Sequence, residues 1–179
     1  PTFMRAAKKL QQKYPSLVVY IPSCRKVFDE RFKKACRKYQ INGQVISQKD
    51  NARLKPYIYS LTKIAFCKSG TVNMELALYG IPQIVGYRVS RITAFIAKKI
   101  LNFKVRFISP VNLLVNKLII PEFVQREFDE KKIFYKSCRI LEGKSEKIKI
   151  KKGYAFLKKE LGEEGVVQRA ARDIINSII

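Results

Sequence analysis

Apolar residues recur along the chain in two spacings, and the two alternate. Helical spacing over 3–13 (Phe3, Ala6, Ala7, Leu10) predicts a first helix, which Pro15 stops. The run "LVVYI" (17–21) is β-branched and too short for a helix, so it predicts a buried strand. Val27, Phe28, Phe32, Ala35 and Cys36 share one side of an amphipathic helix over 26–39. "GQVISQ" (43–48) predicts a weaker strand, 51–61 a short helix interrupted by Pro56, and "KIAFC" (63–67) another strand. A helix over 71–79, a strand "PQIVGY" (82–87), a helix over 90–101 and a strand "VRFIS" (105–109) follow. Residues 110–125 read as irregular with short ordered pieces, and helices over 129–141, 146–161 and 165–178 close the chain.

Strands that alternate with helices, and that are continuous apolar runs, predict a parallel sheet covered on both faces. The expected fold is α/β, a Rossmann-like doubly wound parallel sheet. Residues 1–125 form the sheet domain, and the helices of 126–179 pack on the same domain. Ligands in such sheets bind outside the carboxyl ends of the strands. That rule directs attention to the loops 67–71, 87–90 and 109–112.

Composition narrows the chemistry. A hydrophobic fraction of 47% over 179 residues supports a real core in about one domain. The balance of 37 basic to 14 acidic residues, net +23, attracts anions: nucleic acid, an anionic membrane surface or a phosphorylated substrate. Biased lysine usage on an ordinary surface is the plain alternative. The four cysteines are widely and irregularly spaced and histidine is absent, which argues against zinc and for reduced, packed thiols. Without histidine, a general base must be Asp, Glu, Lys, Tyr or Cys, or lie elsewhere. No apolar run approaches the roughly 20 residues that span a bilayer. The opening "PTFMRAAKKLQQKYP" starts as though already entering a helix, so the chain is expected to be the C-terminal part of something longer.

Several residues stand where a ligand could reach them, each with a plainer reading. Ser69, Gly70 and Thr71 mark a strand-to-helix turn where backbone can approach a phosphate; the plainer reading is an N-cap. Glu75, four residues after Thr71, does not fit a capping box and is placed to accept from ribose hydroxyls; otherwise it is a solvated carboxylate near a helix start. Arg88, beside Tyr87 at a strand end, suits a phosphate through its planar fork, or is one more surface cation. Asn112 in "SPVNLL" suits a base or sugar, or forms a turn. Glu122 and Gln125 follow Pro121 in a helix-start pattern. The helix 90–101, with Lys98 and Lys99, could lie on an anionic membrane, or simply face the core.

Taken together, "KSGTVNMELALYGIPQIVGYRVSRITAFIAKKIL", "FISPVNLLVNKLIIPEFVQ" and the tail "LGEEGVVQRAARDII" resemble lipid-A-disaccharide synthase. The family's order S-G-T-x-x-x-E-x-A-L, x-P-x-x-V-x-Y-R, T-A-x-x-A-K, P-N-L-L, V-P-E-x-x-Q and G-A-x-x-R-A-A is followed, most densely over 65–125. The resemblance implies the C-terminal half of a GT-B glycosyltransferase, the half that holds the nucleotide-sugar donor. Family enzymes transfer 2,3-diacylglucosamine from UDP to 2,3-diacylglucosamine 1-phosphate, giving lipid A disaccharide 1-phosphate and UDP. The reaction inverts the anomeric carbon, with no metal and no cofactor. They work as peripheral proteins at the cytoplasmic face of the inner membrane, so an anionic membrane surface is an expected partner and nucleic acid is not.

On this resemblance Ser69, Gly70 and Thr71 approach the UDP diphosphate and Glu75 the ribose. Tyr87, Arg88, Asn112, Glu122 and Gln125 complete the donor wall. The family's S-L-P-N is here Ser109-Pro110-Val111-Asn112, which shifts the proline by one position. The family's G-S-R-x-x-E motif, which comes just before residue 1, is not in this sequence. The acceptor site and general base are therefore expected on an N-terminal half in the same or another chain, and this chain alone is expected to be inactive. Two other functions compete: a basic nucleic-acid-binding protein, and another GT-B UDP-sugar transferase such as that of peptidoglycan synthesis. The segments "YRVSRITAFIAKK" and "PEFVQ" fit that relative poorly.

Overall fold

A computed structural model describes residues 1–89, 106–162 and 165–178. The elements run α1 (Thr2–Lys13), β1 (Val19–Pro22), α2 (Lys26–Tyr39), β2 (Gly43–Ile46), α3 (Gln48–Leu61), β3 (Ala65–Cys67), α4 (Val72–Leu78) and β4 (Gln83–Tyr87). Then come α5 (Pro110–Val115), β5 (Glu122–Val124), a 3-10 turn (Gln125–Glu127), α6 (Glu130–Glu142), α7 (Lys144–Leu161) and α8 (Val166–Ile178). The expected helix over 90–101 lies outside the described residues.

Every strand pairing is parallel, as continuous apolar runs require. The ladder is divided, however. β1 pairs with β2, and β4 lies between β3 and β5 in a second sheet. Between the facing edges of β1 and β3 lies a mostly apolar cavity of about 830 Å³, bordered by Phe3, Leu10, Tyr20, Ile58 and Phe66. The sheet is therefore Rossmann-like in direction and layering but not hydrogen-bonded from end to end.

The core gathers under the three-stranded part. Ile84 and Val85 on β4, Val111 on α5, Ile133 and Ile140 on α6 and Leu157 on α7 are all 0% exposed. Each such side chain contributes about 2 kcal/mol by leaving water. Packed against this core, Phe3 of α1 stacks on Phe66 at 5.2 Å and meets Phe128 edge-on at 4.9 Å. The two rings cover Gly86, where an added Cβ would stand 2.2 Å from Phe128 and 2.6 Å from Phe3. Helix α1 also packs along α6, with Arg5 paired to Glu130 and Lys13 to Glu142.

The three closing helices differ. α6 and α7 bury a stripe each, whereas the described side chains of α8 are exposed, including Val166, Val167, Ile174 and Ile175.

Three expectations are corrected locally. Pro121 opens no helix, because Glu122–Val124 pairs with β4 as a strand and Gln125 begins a 3-10 turn. Helix α3 is not interrupted by Pro56 but runs through it. Pro56 and Ala52 are both exposed, so water can serve the Ala52 carbonyl that the proline leaves without a donor. Residues 106–109 are not a strand. The backbone N–H groups of Ile108 and Ser109 donate to the Glu122 carboxylate at 2.7 and 2.9 Å instead of to a ladder. The irregular stretch that follows opens with α5, capped by Ser109, whose hydroxyl accepts the Asn112 N–H, with Pro110 at the first helical position.

Candidate functional site

Parallel register lines up the ends of three strands. Cys67 is opposite Val85, and Tyr87 is opposite Val124, so Lys68, Tyr87–Arg88 and Gln125 follow one another along one carboxyl edge. Lys68 lies over the Tyr87 ring at 5.9 Å, which joins the first loop to the second. Lys68, not singled out from sequence, thus sets a cation beside the turn.

In the turn itself, neither Ser69 nor Thr71 caps α4 with its side chain, so the plain capping reading does not hold. The Ser69 hydroxyl donates instead to the Ile108 carbonyl and ties the turn to the 106–109 loop. Gly70 does not occupy the left-handed region, and a Cβ there would meet nothing within 4 Å. The backbone does not need glycine at this point; the space over it is open. Thr71 is exposed beside that space.

Arg88 crosses to the end of β5. Its Nη2 donates to the carbonyls of Phe128 (2.6 Å) and Gln125 (3.2 Å), and the guanidinium stacks on the Phe128 ring at 5.5 Å. Gln125 has φ of 53°, a left-handed conformation uncommon outside glycine, and its side-chain oxygen accepts the Val89 N–H at 3.3 Å. Arg88 and Gln125 therefore hold each other's loops at the same edge.

Asn112 and Glu122 form a third group beneath. Asn112 is 0% exposed. Its Oδ1 accepts the N–H groups of Ile119 and Ile120, and its Nδ2 donates to the Ile120 carbonyl and to Glu122 Oε1, which uses all four of its bonding positions. The Glu122 carboxylate also accepts from Ile108 N, Ser109 N and the Ser109 hydroxyl. These two side chains shape the 106–112 loop from inside and leave no polar atom of Asn112 for a ligand.

Glu75 stands apart from the strand-end group. It is ion-paired with Lys55 of α3, another residue not singled out from sequence. Lys55 also lies over the Tyr59 ring at 5.8 Å. Burial, and then the Glu75 charge, push the Tyr59 hydroxyl up to about 12. At the floor of the site, burial pushes the Cys67 thiol up to about 12. Beside it lies a buried polar pair, Asn73 and Gln83, both 0% exposed. A polar residue inside each of the apolar runs "VNMELAL" and "PQIVGY" was the available sequence signal for them. Among the described residues, no group of three or more His, Cys, Asp or Glu is placed to hold a metal ion.

Parallel strands alternating with helices and a polar edge at the strand carboxyl ends define a Rossmann-like α/β unit. The sequence profile of the lipid-A-disaccharide synthetase family matches residues 1–177, and the chain belongs to that family. It is 41% identical to the lipid-A-disaccharide synthase of Prochlorococcus marinus over 98% of this chain and 45% of that protein. It is 34% identical to that of Gloeothece citriformis over 99% of this chain and 45% of the relative. For that of Synechocystis the identity is 31% over 98% of this chain and 43% of the relative. The chain thus spans less than half the length of these curated relatives.

Proposed function

We propose that this chain is the donor-binding half of a lipid-A-disaccharide synthase. It holds UDP-2,3-diacylglucosamine while the sugar passes to the 6-hydroxyl of 2,3-diacylglucosamine 1-phosphate, leaving UDP and lipid A disaccharide 1-phosphate. The carrying observation is the row of Lys68, Ser69–Thr71, Tyr87–Arg88 and Gln125 along one strand edge, with open space over Gly70. In this reading the diphosphate rests over the Ser69–Thr71 turn, with Lys68 nearest in charge. Glu75 meets the ribose through the carboxylate oxygen that Lys55 does not hold. Tyr87, Arg88 and Gln125 form the wall towards the sugar. Asn112 and Glu122 act from below, as the supports of the 106–112 loop.

The acceptor site and the general base belong to a further half outside this chain, consistent with relatives more than twice as long. Among the described residues no helix is long and apolar enough to cross a membrane. The net charge of +23 favours contact with an anionic bilayer, where acylated sugar phosphates reside, so the protein works peripherally at the cytoplasmic face of the inner membrane.

Calorimetric titration with UDP, GDP and 2′,3′-dideoxy-UDP tests the reading. Saturable binding of UDP in preference to GDP is expected. Glu75→Ala should weaken UDP about tenfold while leaving the dideoxy nucleotide unchanged. An absence of UDP binding, or equal losses for both nucleotides, would overturn it.

A further inference from the structure

One buried carboxamide touches both sides of the proposed diphosphate turn. Asn73 Oδ1 accepts the Gly70 N–H at 2.8 Å. Its Nδ2 lies 3.2 Å from the Lys68 carbonyl, 3.0 Å from Cys67 Sγ and 3.0 Å from Gln83 Oε1. Gln83 answers from β4: its Nε2 donates to the Asn73 carbonyl at 2.9 Å and to the Tyr154 hydroxyl at 3.1 Å. Tyr154, on α7 and 3% exposed, donates in turn to the Ile81 carbonyl at 2.9 Å. An unbroken hydrogen-bonded relay thus runs from the turn, through the sheet, to a helix near the far end of the chain.

Other ties hold single points of the turn, the Ser69 hydroxyl on the Ile108 carbonyl and the Gly70 carbonyl on the Asn73 N–H, whereas the Asn73 side chain spans it. Ser69 and Thr71 do not cap α4, and Gly70 is not held in a conformation special to glycine. The Lys68 carbonyl and the Gly70 N–H face one side chain that cannot rotate without breaking several buried bonds, each costly to leave unmade. We infer that Asn73 is the residue that positions the Lys68–Thr71 turn for a nucleotide diphosphate, with Gln83 and Tyr154 as its anchors. The inference rests on the donor-binding reading above. It adds that diphosphate affinity is set partly from α7, through groups that never touch the ligand. A turn held ready in this way binds without a cost of ordering, and loosening it should weaken what the turn grips while sparing what it does not.

The experiment compares UDP with uridine on the full chain, by calorimetry for the first and ligand-observed NMR for the second. Each is measured with the parent, Asn73→Ala and Tyr154→Phe, alongside thermal melts. We expect Asn73→Ala to bind UDP about tenfold more weakly, the equivalent of one charge-assisted hydrogen bond, and uridine within about twofold of the parent. Tyr154→Phe, which removes one oxygen, should weaken UDP about threefold with the same sparing of uridine. A folded Asn73→Ala that binds UDP like the parent overturns the inference, and so does an equal loss for uridine, which would mark general damage. If Asn73→Ala does not fold, Tyr154→Phe decides by the same two criteria. A parent that fails to bind UDP sinks the donor reading and this inference with it, and that result is seen before any variant is made.

Discussion

The Asn112 amide donates to Glu122 Oε1 at 2.8 Å from a position with no solvent exposure, and the same oxygen accepts from Ser109. Both residues come from the segments that most resemble the donor wall of the family, yet they bond to each other and to backbone. In the structure they hold the 106–112 loop from inside.

Asn112→Ala takes away the side-chain partner of the Ile120 N–H and of the Ile120 carbonyl, and leaves the Ile119 N–H with the Lys117 carbonyl alone. Denaturant unfolding should show a loss of about 3 kcal/mol. Asn112→Asp should cost at least as much, because it sets a second carboxylate against Glu122. A change below about 1 kcal/mol in both would mean that the loop is held by something else.

Gly70 and Gly86 should respond oppositely to the same added methyl group. At Gly86 the Cβ meets Phe128 at 2.2 Å and Phe3 at 2.6 Å, so Gly86→Ala should destabilise by about 1–3 kcal/mol. At Gly70 it meets nothing, so Gly70→Ala should leave stability unchanged or raise it by up to about 1 kcal/mol. UDP affinity should nonetheless fall about tenfold, since the methyl group takes the open space. Unaltered UDP affinity would place the nucleotide elsewhere.

Alkaline pH should weaken the fold. The Cys67 thiol, with an ordinary value of 9.0, is pushed up to about 12 by burial. Above pH 9 the unfolded chain gives up this proton while the folded chain keeps it, so stability is full below pH 9 and lost between 9 and about 12. Tyr59, raised from 10.0 to about 12, and Tyr154, also raised, act with the same sign. Thermal midpoints should fall from about pH 9 upwards, with a shallower slope in Cys67→Ala. At about pH 8 iodoacetamide should label the exposed Cys24 and not Cys67. A flat profile to pH 11 would refute the assignment.

The strands β1, β3 and β4 were legible because each carries a short unbroken apolar run, although only β4 is buried and β1 and β3 are half-buried at most. "VRFIS" has the same look and is not a strand over 106–109, because the Glu122 carboxylate takes the backbone bonds that a neighbouring strand would have taken. That competition comes from a residue 13 positions away and cannot be seen in a local pattern. The cap of α5 was legible in principle: Ser109, then Pro110, then Asn112 is a helix start. That Ser69–Thr71, Tyr87, Arg88 and Gln125 stand at the strand carboxyl ends could be read from sequence, because topology alone fixes where strands end. Whether a polar side chain at such a place faces a ligand or its neighbours depends on packing, and no local pattern shows that Asn112 and Asn73 both turn inward.

The gap between β1 and β3 divides the fold's cooperativity. β1, α2 and β2 share few fully buried side chains, with Cys36 the buried residue of α2 and Ile46 that of β2. Among the described residues no hydrogen bond of the ladder joins this unit to β3, β4 and β5. Its amides should therefore exchange with solvent through partial openings, while those of Ile84 and Val85, both 0% exposed, should wait for global unfolding. The three-stranded side of the molecule should stay folded while its neighbour breathes.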